Sequence, residues 1–405
     1  MNFAGNPMYC SGTKDYYDEC ERLCMCYEGE LLFCHRVRKE FTHMNFKERR
    51  RFVKTIRTAA TNPIYKDEFR RICKVHSRMP TKLLHHMPQI FLPWHRWYLL
   101  EFENFLRQID CRVTIPYWDW SKDAKHWARA TEKDDIWNPG LHGLGGDGDM
   151  LNGCVRNGPF KESIFVLPEK NGEGCLKRNF NLSCSLPSKA TVQKMTNDEN
   201  FTAFEVFIRN TVHPTFHDCV GGHMLKHHTA SFTPEFWIHH SFVDKLWSDW
   251  QMKRDNHTFE YFTDVAFEMP LSGMFPWEVL DNHNLPGGVR ITYKHPGNSV
   301  QDFRLKNFVW KLHACDQVFK SMKICHKNTA WLKGKEMKDF QLFWFLLLFF
   351  AINHKQAALF GPGKSTLFWV FCFNRPPSWS SLVLNTHFCL FHFIISIPLI
   401  LFIHA

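Results

Sequence analysis

The sequence predicts a mainly α fold with long loops and few short strands, and three observations carry that reading. Apolar residues recur at helical intervals from Asn45 to Thr61, from Tyr65 to about Gln108 and, with interruptions, from Asn200 to Met252. Residues 134–190, with "NPGLHGLGGDGD" and scattered cysteines, have turn chemistry and no sustained period. A strand-like run, "GGVRITY", finishes at Tyr293.

Residues 1–40 form a cysteine-rich lead-in holding Cys10, Cys20, Cys24, Cys26 and Cys34. A helix follows: Asn45 with Glu48 makes a capping-box start, Phe52, Val53, Ile56 and Ala60 supply the 3.6-residue period, and "TNP" at Thr61 to Pro63 stops it. Its "KERRR" run, Lys47 to Arg51, is expected to be a solvated face; with a net charge of +10 spread along the chain, no nucleic-acid partner is expected. The next helical stretch is broken by Pro80, Pro88 and Pro93. The domain itself is expected to span 41–297. Residues 298–405 read as an atypical hydrophobic tail, whose apolar runs Leu342 to Ile352 and Phe388 to Ile403 fall short of the roughly 20 residues of a spanning helix.

Further cysteines at 73, 111, 154, 175, 184 and 219, with no CxxC pair, favour disulfides and an oxidising compartment, and the sequons at Asn181, Asn200 and Asn256 agree. Secretion is therefore expected, although the first 20 residues show no basic-then-apolar leader. Anchoring through the tail is the alternative and the one expected route to a membrane.

The chain has 24 histidines, and "FLPWHRWYLLEFE" (Phe91 to Glu103) sets one of them on an apolar face. Pro93 suits a first helical turn, and His95, Tyr98, Leu99, Phe102, Phe105, Leu106 and Ile109 share one side. His85 and His86 lie upstream in a proline-bounded loop, and His76 ten residues before His86. In "NTVHPTFHDC", His213 and His217 are four apart, so a helix turns both rings the same way. Thr233, Pro234 and Glu235 then read as N-cap, first residue and first-turn acid of a helix with Phe236, Val243, Trp247 and Trp250 on one side. His240 belongs to that side and His239 fits almost as well, so periodicity does not choose between them. Two groups of three imidazoles without cysteine or a bridging carboxylate favour copper over the harder metals of dinuclear hydrolases. Two copper ions facing each other can bind and reduce dioxygen.

"HHMPQIFLPWHRWYLLEFE" and "TPEFWIHHSFVDKLW" resemble the two copper signatures of the tyrosinase family, the type 3 copper proteins that include catechol oxidases and molluscan-type hemocyanins. "IPYWDW" at Ile115, "VGGHM" at Val220 and "NGPF" at Asn157 extend the resemblance over about residues 35–295. It implies a four-helix bundle around a dinuclear copper site with two ions per chain. His86 and His95 would bind the first ion, with His76 as third ligand and His85 as its alternative. His213, His217 and His240 would bind the second, His240 being the histidine that three residues separate from Asp244. His239, Arg96 and Asp244 would orient rings and helices. Glu205 resembles an acidic catalytic residue that holds a water near the second ion. His223, His227 and His228 are expected to be exposed or structural. Pro214 stands where members that hydroxylate monophenols often carry Asn, Thr233 replaces the usual Asp, and Leu84, two before His86, rules out a cysteine crosslink there. The implied activity is oxidation of o-diphenols to o-quinones with dioxygen, monophenols being disfavoured by Pro214. The alternative is reversible oxygen carriage, but carriers are usually arrays and this chain shows one copper unit. Dioxygen and a small phenol are the expected partners; the oligomeric state stays open.

Overall fold

Disulfides and strand pairing organise the start of the chain. A computed structural model describes Cys10 and residues 16–27, 29–169, 172–262 and 267–296, with the side chains of residues 27, 84–86, 169, 255 and 256 also outside the description. Strands β1 (Tyr16–Tyr17), β2 (Leu23–Tyr27) and β3 (Glu30–Lys39) pair antiparallel in sequence order. Cys10–Cys26 and Cys24–Cys34 tie this sheet together, and Cys20–Cys111 ties it to the far end of the long fourth helix.

Helix α1 (Phe46–Thr61) starts on the expected capping box: Glu48 N donates to Asn45 Oδ1 and Asn45 N to Glu48 Oε2, each at 3.0 Å. Its basic run is not a uniformly solvated face. Arg49 is buried, lies over the Phe41 and Phe46 rings and pairs with Asp134 at 2.5 Å. A guanidinium can be sequestered on aromatic faces when a carboxylate also meets it.

Three further helices follow, α2 (Lys66–Arg78), α3 (Thr81–His86) and α4 (Pro88–Ile109). Pro80 and Pro88 separate them as expected, and the segment bearing His85 and His86 is helical rather than a loop. Pro93 breaks nothing. It lies inside α4, where its missing N–H and ring would leave the Gln89 carbonyl without a partner, and the Tyr261 hydroxyl donates to that carbonyl at 3.0 Å.

The loop region contains one hairpin, β4 (Val166–Glu169) with β5 (Gly172–Cys175), pinned by Cys154–Cys175. Strands of four residues are too short to leave a period to read. Helices α5 (Lys189–Thr196), α6 (Phe201–Phe207), α7 (His213–Val220), α8 (Gly222–Leu225), α9 (His227–Ala230) and α10 (Pro234–Gln251) complete the helical set. Thr233 caps α10 as expected, its Oγ1 accepting from Phe236 N. The last strand, β6 (Arg290–Lys294), pairs in parallel with β3.

α4 packs on α10, α2 and α1, and α7 packs on α10. The α4–α10 contact is aromatic, with Phe102 and Trp237 stacked at 3.5 Å between ring centres. Behind it, Arg38 of β3 bonds Glu103 of α4 at 2.9 Å and the Tyr293 hydroxyl of β6 at 2.8 Å, all three being buried. Arg96 of α4 reaches Asp244 of α10 at 2.6 Å while lying over Trp247. Arg178 forms a buried two-pronged pair with Glu235 and collects the carbonyls of Leu144, Gly145 and Gly146, holding the glycine-rich loop to the start of α10. All these residues lie in the compact unit Met1–Phe308. No helix among the described residues is long and apolar enough to cross a membrane, and the two apolar runs of the tail lie outside those residues.

Candidate metal centre

The last turn of α2, the second turn of α4, the start of α7 and the middle of α10 deliver His76, His95, His213 with His217, and His240 to one place. The His95 and His240 rings stack at 4.3 Å and 10°. His95 lies 5.9 Å from both His76 and His213, and His213 lies 4.7 Å from His217 and 5.0 Å from His240. Ring nitrogens of His213, His217, His239 and His240 all lie within 4.8 Å of one another. Phe91 touches His95 and His213, and Phe236 touches His76 and His240, so apolar rings fill the spaces between imidazoles.

Local chain geometry explains how the rings are aimed. Pro214, in the first turn of α7, has no N–H to give the preceding turn, and that turn is a π-helical segment at Ile208–Val212. After α7, Gly221 and Gly222 both take positive φ where a Cβ would meet the carbonyls of Asn179 and Lys177. This tight reversal, the "VGGHM" of the sequence, brings the Met224 carbonyl back to accept from His217 Nδ1 at 2.7 Å. His95 Nδ1 donates to Phe91 O at 2.7 Å and His76 Nδ1 to His227 O at 3.0 Å. A carbonyl only accepts, so in each of these three rings the Nδ1 carries the proton and Nε2 the lone pair.

Four of the rings here are held neutral. Burial lowers the pKa of His76, His239 and His240 well below the usual histidine value, neighbouring imidazoles adding to the effect, and burial brings His217 to about 4. His240 is 1% exposed, and neither of its ring nitrogens has a hydrogen-bond partner among the described residues; the same holds for His217 Nε2 and His239 Nδ1. An unsatisfied buried polar atom costs about 1–3 kcal/mol. A metal ion binding such lone pairs removes that penalty, and an all-imidazole donor set suits copper. The thiol nearest in sequence, Cys73, is turned away, its Sγ donating to Ser231 O at 3.2 Å; it is the one described cysteine outside a disulfide.

The side chains of His85 and His86 lie outside the described residues. His239 stacks on Phe216 at 4.4 Å and its Nε2 donates to His213 O at 3.2 Å, so it grips the backbone that carries a neighbouring ring. Arg96 and Asp244 join α4 to α10 directly beside His95 and His240. Glu205 is buried on α6, but its carboxylate is engaged by Arg209 at 2.6 and 3.3 Å; burial pushes its pKa up against that partner. His223 is buried and accepts from Lys177 N, His228 is exposed, and His227 lies against His76 at 4.5 Å. The His227 contact has no signature in the sequence, because its partner sits about 150 residues away on another helix.

Residues 66–253 match the common central domain of tyrosinase. The chain is 32% identical over 237 residues to a tyrosinase from Streptomyces glaucescens, covering 54% of this chain and 83% of that protein. It is 29% identical over 280 residues to hemocyanin 1 from Megathura crenulata, covering 66% of this chain and 7% of that protein. In fold it is similar to a polyphenol oxidase variant from Thermothelomyces thermophila, with a TM-score of 0.54 at 19% identity over 64% of this chain and 89% of that one. With this similarity reaching across most of a bacterial tyrosinase, and a buried histidine cluster at its centre, the chain belongs to the tyrosinase family of type 3 copper proteins.

Proposed function

We propose that the protein is a copper-dependent oxidoreductase that uses dioxygen to oxidise o-diphenols to o-quinones. It holds one ion through His76, His86 and His95 and a second through His213, His217 and His240. The observation that carries this reading is the convergence of imidazoles from α2, α4, α7 and α10 in one buried cluster. Copper bound there supplies the redox couple through which two catechols give four electrons and four protons to one dioxygen, yielding two quinones and two waters.

The chain's own residues prepare that chemistry. Carbonyls of His227, Phe91 and Met224 set the tautomers of His76, His95 and His217, while Phe91 and Phe236 exclude water between rings. Glu205 is the carboxylate that would hold a water for proton transfer, but Arg209 engages it, and residue 214, a proline, has no side-chain amide to help. Both features favour catechols, whose first hydroxyl is more acidic than a simple phenol's, over monophenols. Five disulfides among the described residues support a secreted protein.

The test is to load the purified chain with copper, add oxygen and look for a new near-ultraviolet absorption band, then supply a catechol and a monophenol separately. Quinone release is expected with the catechol at a rate well above the monophenol. The similarity to hemocyanin 1 favours a second reading, reversible oxygen carriage. An oxygen-dependent band without quinone release would replace the oxidase reading with that one.

A further inference from the structure

We propose that His227 is a positioning residue for the first metal half-site, clasping the His76 ring and the end of the helix that carries it; this rests on the reading of His76 as a copper ligand. The contacts are reciprocal. The His227 backbone carbonyl accepts from His76 Nδ1 at 3.0 Å, and the His227 ring packs on the His76 ring at 4.5 Å and 35°. In return His227 Nε2 donates to the Met79 carbonyl at 2.9 Å, and Met79 N closes the end of α2 by donating to His76 O at 3.1 Å. Helix α9 thus takes hold of the last turn of α2 at both its side chain and its backbone.

A second anchor keeps α9 in register with α2. Ser231 Oγ donates to Cys73 O at 2.9 Å, and Cys73 Sγ donates to Ser231 O at 3.2 Å. The carbonyl that sets the His76 tautomer is therefore held from two points, one of them the His227 side chain. The ring contact adds a steric stop to rotation of His76 about its Cβ–Cγ bond. His228, one residue on, is exposed and provides a control of the same chemistry. Groups that hold a ligating histidine in place typically alter metal affinity by about 10- to 100-fold when removed.

The experiment dialyses the copper-loaded chain against graded chelator and reads copper per chain, with the EPR signal of an isolated Cu(II) as the mark of a half-emptied pair. Wild type is expected to hold two ions, and His227→Ala to release one of them at about tenfold lower chelator, leaving that EPR signal. His227→Gln, whose amide can still donate to Met79, recovers part of the loss, and His228→Ala behaves as wild type. If alanine prevents folding, His227→Phe takes its place, keeping a ring against His76 without the Met79 bond, and early release, smaller than alanine's full effect, is expected. A folded Ala or Phe variant that holds both ions as tightly as wild type overturns the proposal, as does loss of both ions together, which marks general loosening. His76→Ala separates the two readings. Two tightly held ions there refute His76 as a ligand, whereas one ion there beside a wild-type-like His227→Ala refutes the clasp alone.

Discussion

His239 and His240 are chain neighbours with opposite hydrogen-bonding, and that difference is worth an experiment. His239 spends Nε2 on the His213 carbonyl, while both nitrogens of His240 lack partners among the described residues. His240→Ala is expected to remove one copper per chain, and His239→Ala to weaken one site by about 10- to 100-fold while keeping two ions at saturation. Metal analysis after loading checks both, and the reverse order would move the ligand assignment by one residue. Helical periodicity left these two residues undecided, because both fall on the buried side of α10; the spacing to Asp244 in the family signature separated them. His35 shows what no motif marked. It is 4% exposed on β3, bonds Thr292 Oγ1 at 2.8 Å and lies edge-on to His283 with Arg290 nearby. Burial first, then those two neighbours, lower its pKa from 6.5 to about 3. Between those values the unfolded chain binds the proton and the folded chain does not. The stability conferred by neutral His35 is thus complete above pH 6.5 and is lost as pH falls toward 3, about 2 kcal/mol of it by pH 5. Urea unfolding of wild type and His35→Asn at pH 7 and pH 5 should show wild type losing about 2 kcal/mol more; equal losses would place the sensitivity elsewhere.

Among the elements, α4 departs furthest from what local sequence can say. Three prolines were read as three breaks, and two of them are. Pro93 survives inside the helix because a hydroxyl 172 residues beyond Gln89 replaces the missing donor, and no window of local sequence contains that information. Tyr261→Phe should leave the Gln89 carbonyl under-satisfied and cost about 1–3 kcal/mol by denaturant unfolding. In a Pro93→Ala background the helix regains its own N–H at that carbonyl, so the same Tyr261→Phe change should cost measurably less. Equal costs in the two backgrounds would mean that Tyr261 acts through packing, or through its second bond to Pro88 O at 3.1 Å. Where all the determinants are local, as in the Asn45–Glu48 box of α1 or the Thr233 cap of α10, sequence and structure agree to the residue. The buried Arg178–Glu235 pair belongs to the other class, since residues 57 apart meet only after the loop and α10 are in place. Arg178→Ala would leave Glu235 buried without its partner and should cost about 3–5 kcal/mol.

For the molecule as a whole, the cysteines announced cross-linking but not its pattern, since the number of pairings grows steeply with cysteine count. The structure resolves this into two kinds of bridge. Cys24–Cys34 closes a loop of sequence separation 10 within one hairpin, while Cys20–Cys111 spans 91 residues and joins the N-terminal sheet to the end of α4. The same sheet is held from the other side by the pairing of β3 with β6 and by the Arg38–Glu103 and Arg38–Tyr293 bonds, so both ends of the described unit converge behind the helices that carry the histidines. Loop-closure entropy in the unfolded chain makes the long bridge the more stabilising, by about 4–5 kcal/mol against about 2–3 for the short one. The Cys20→Ser, Cys111→Ser double variant should therefore unfold at lower denaturant than Cys24→Ser, Cys34→Ser, with its other disulfides intact. Because no histidine of the cluster lies on the sheet, the long-bridge variant should lose copper in step with its unfolding curve rather than before it. Copper loss well ahead of unfolding would show instead that the bridge acts on α4, and through it on His95.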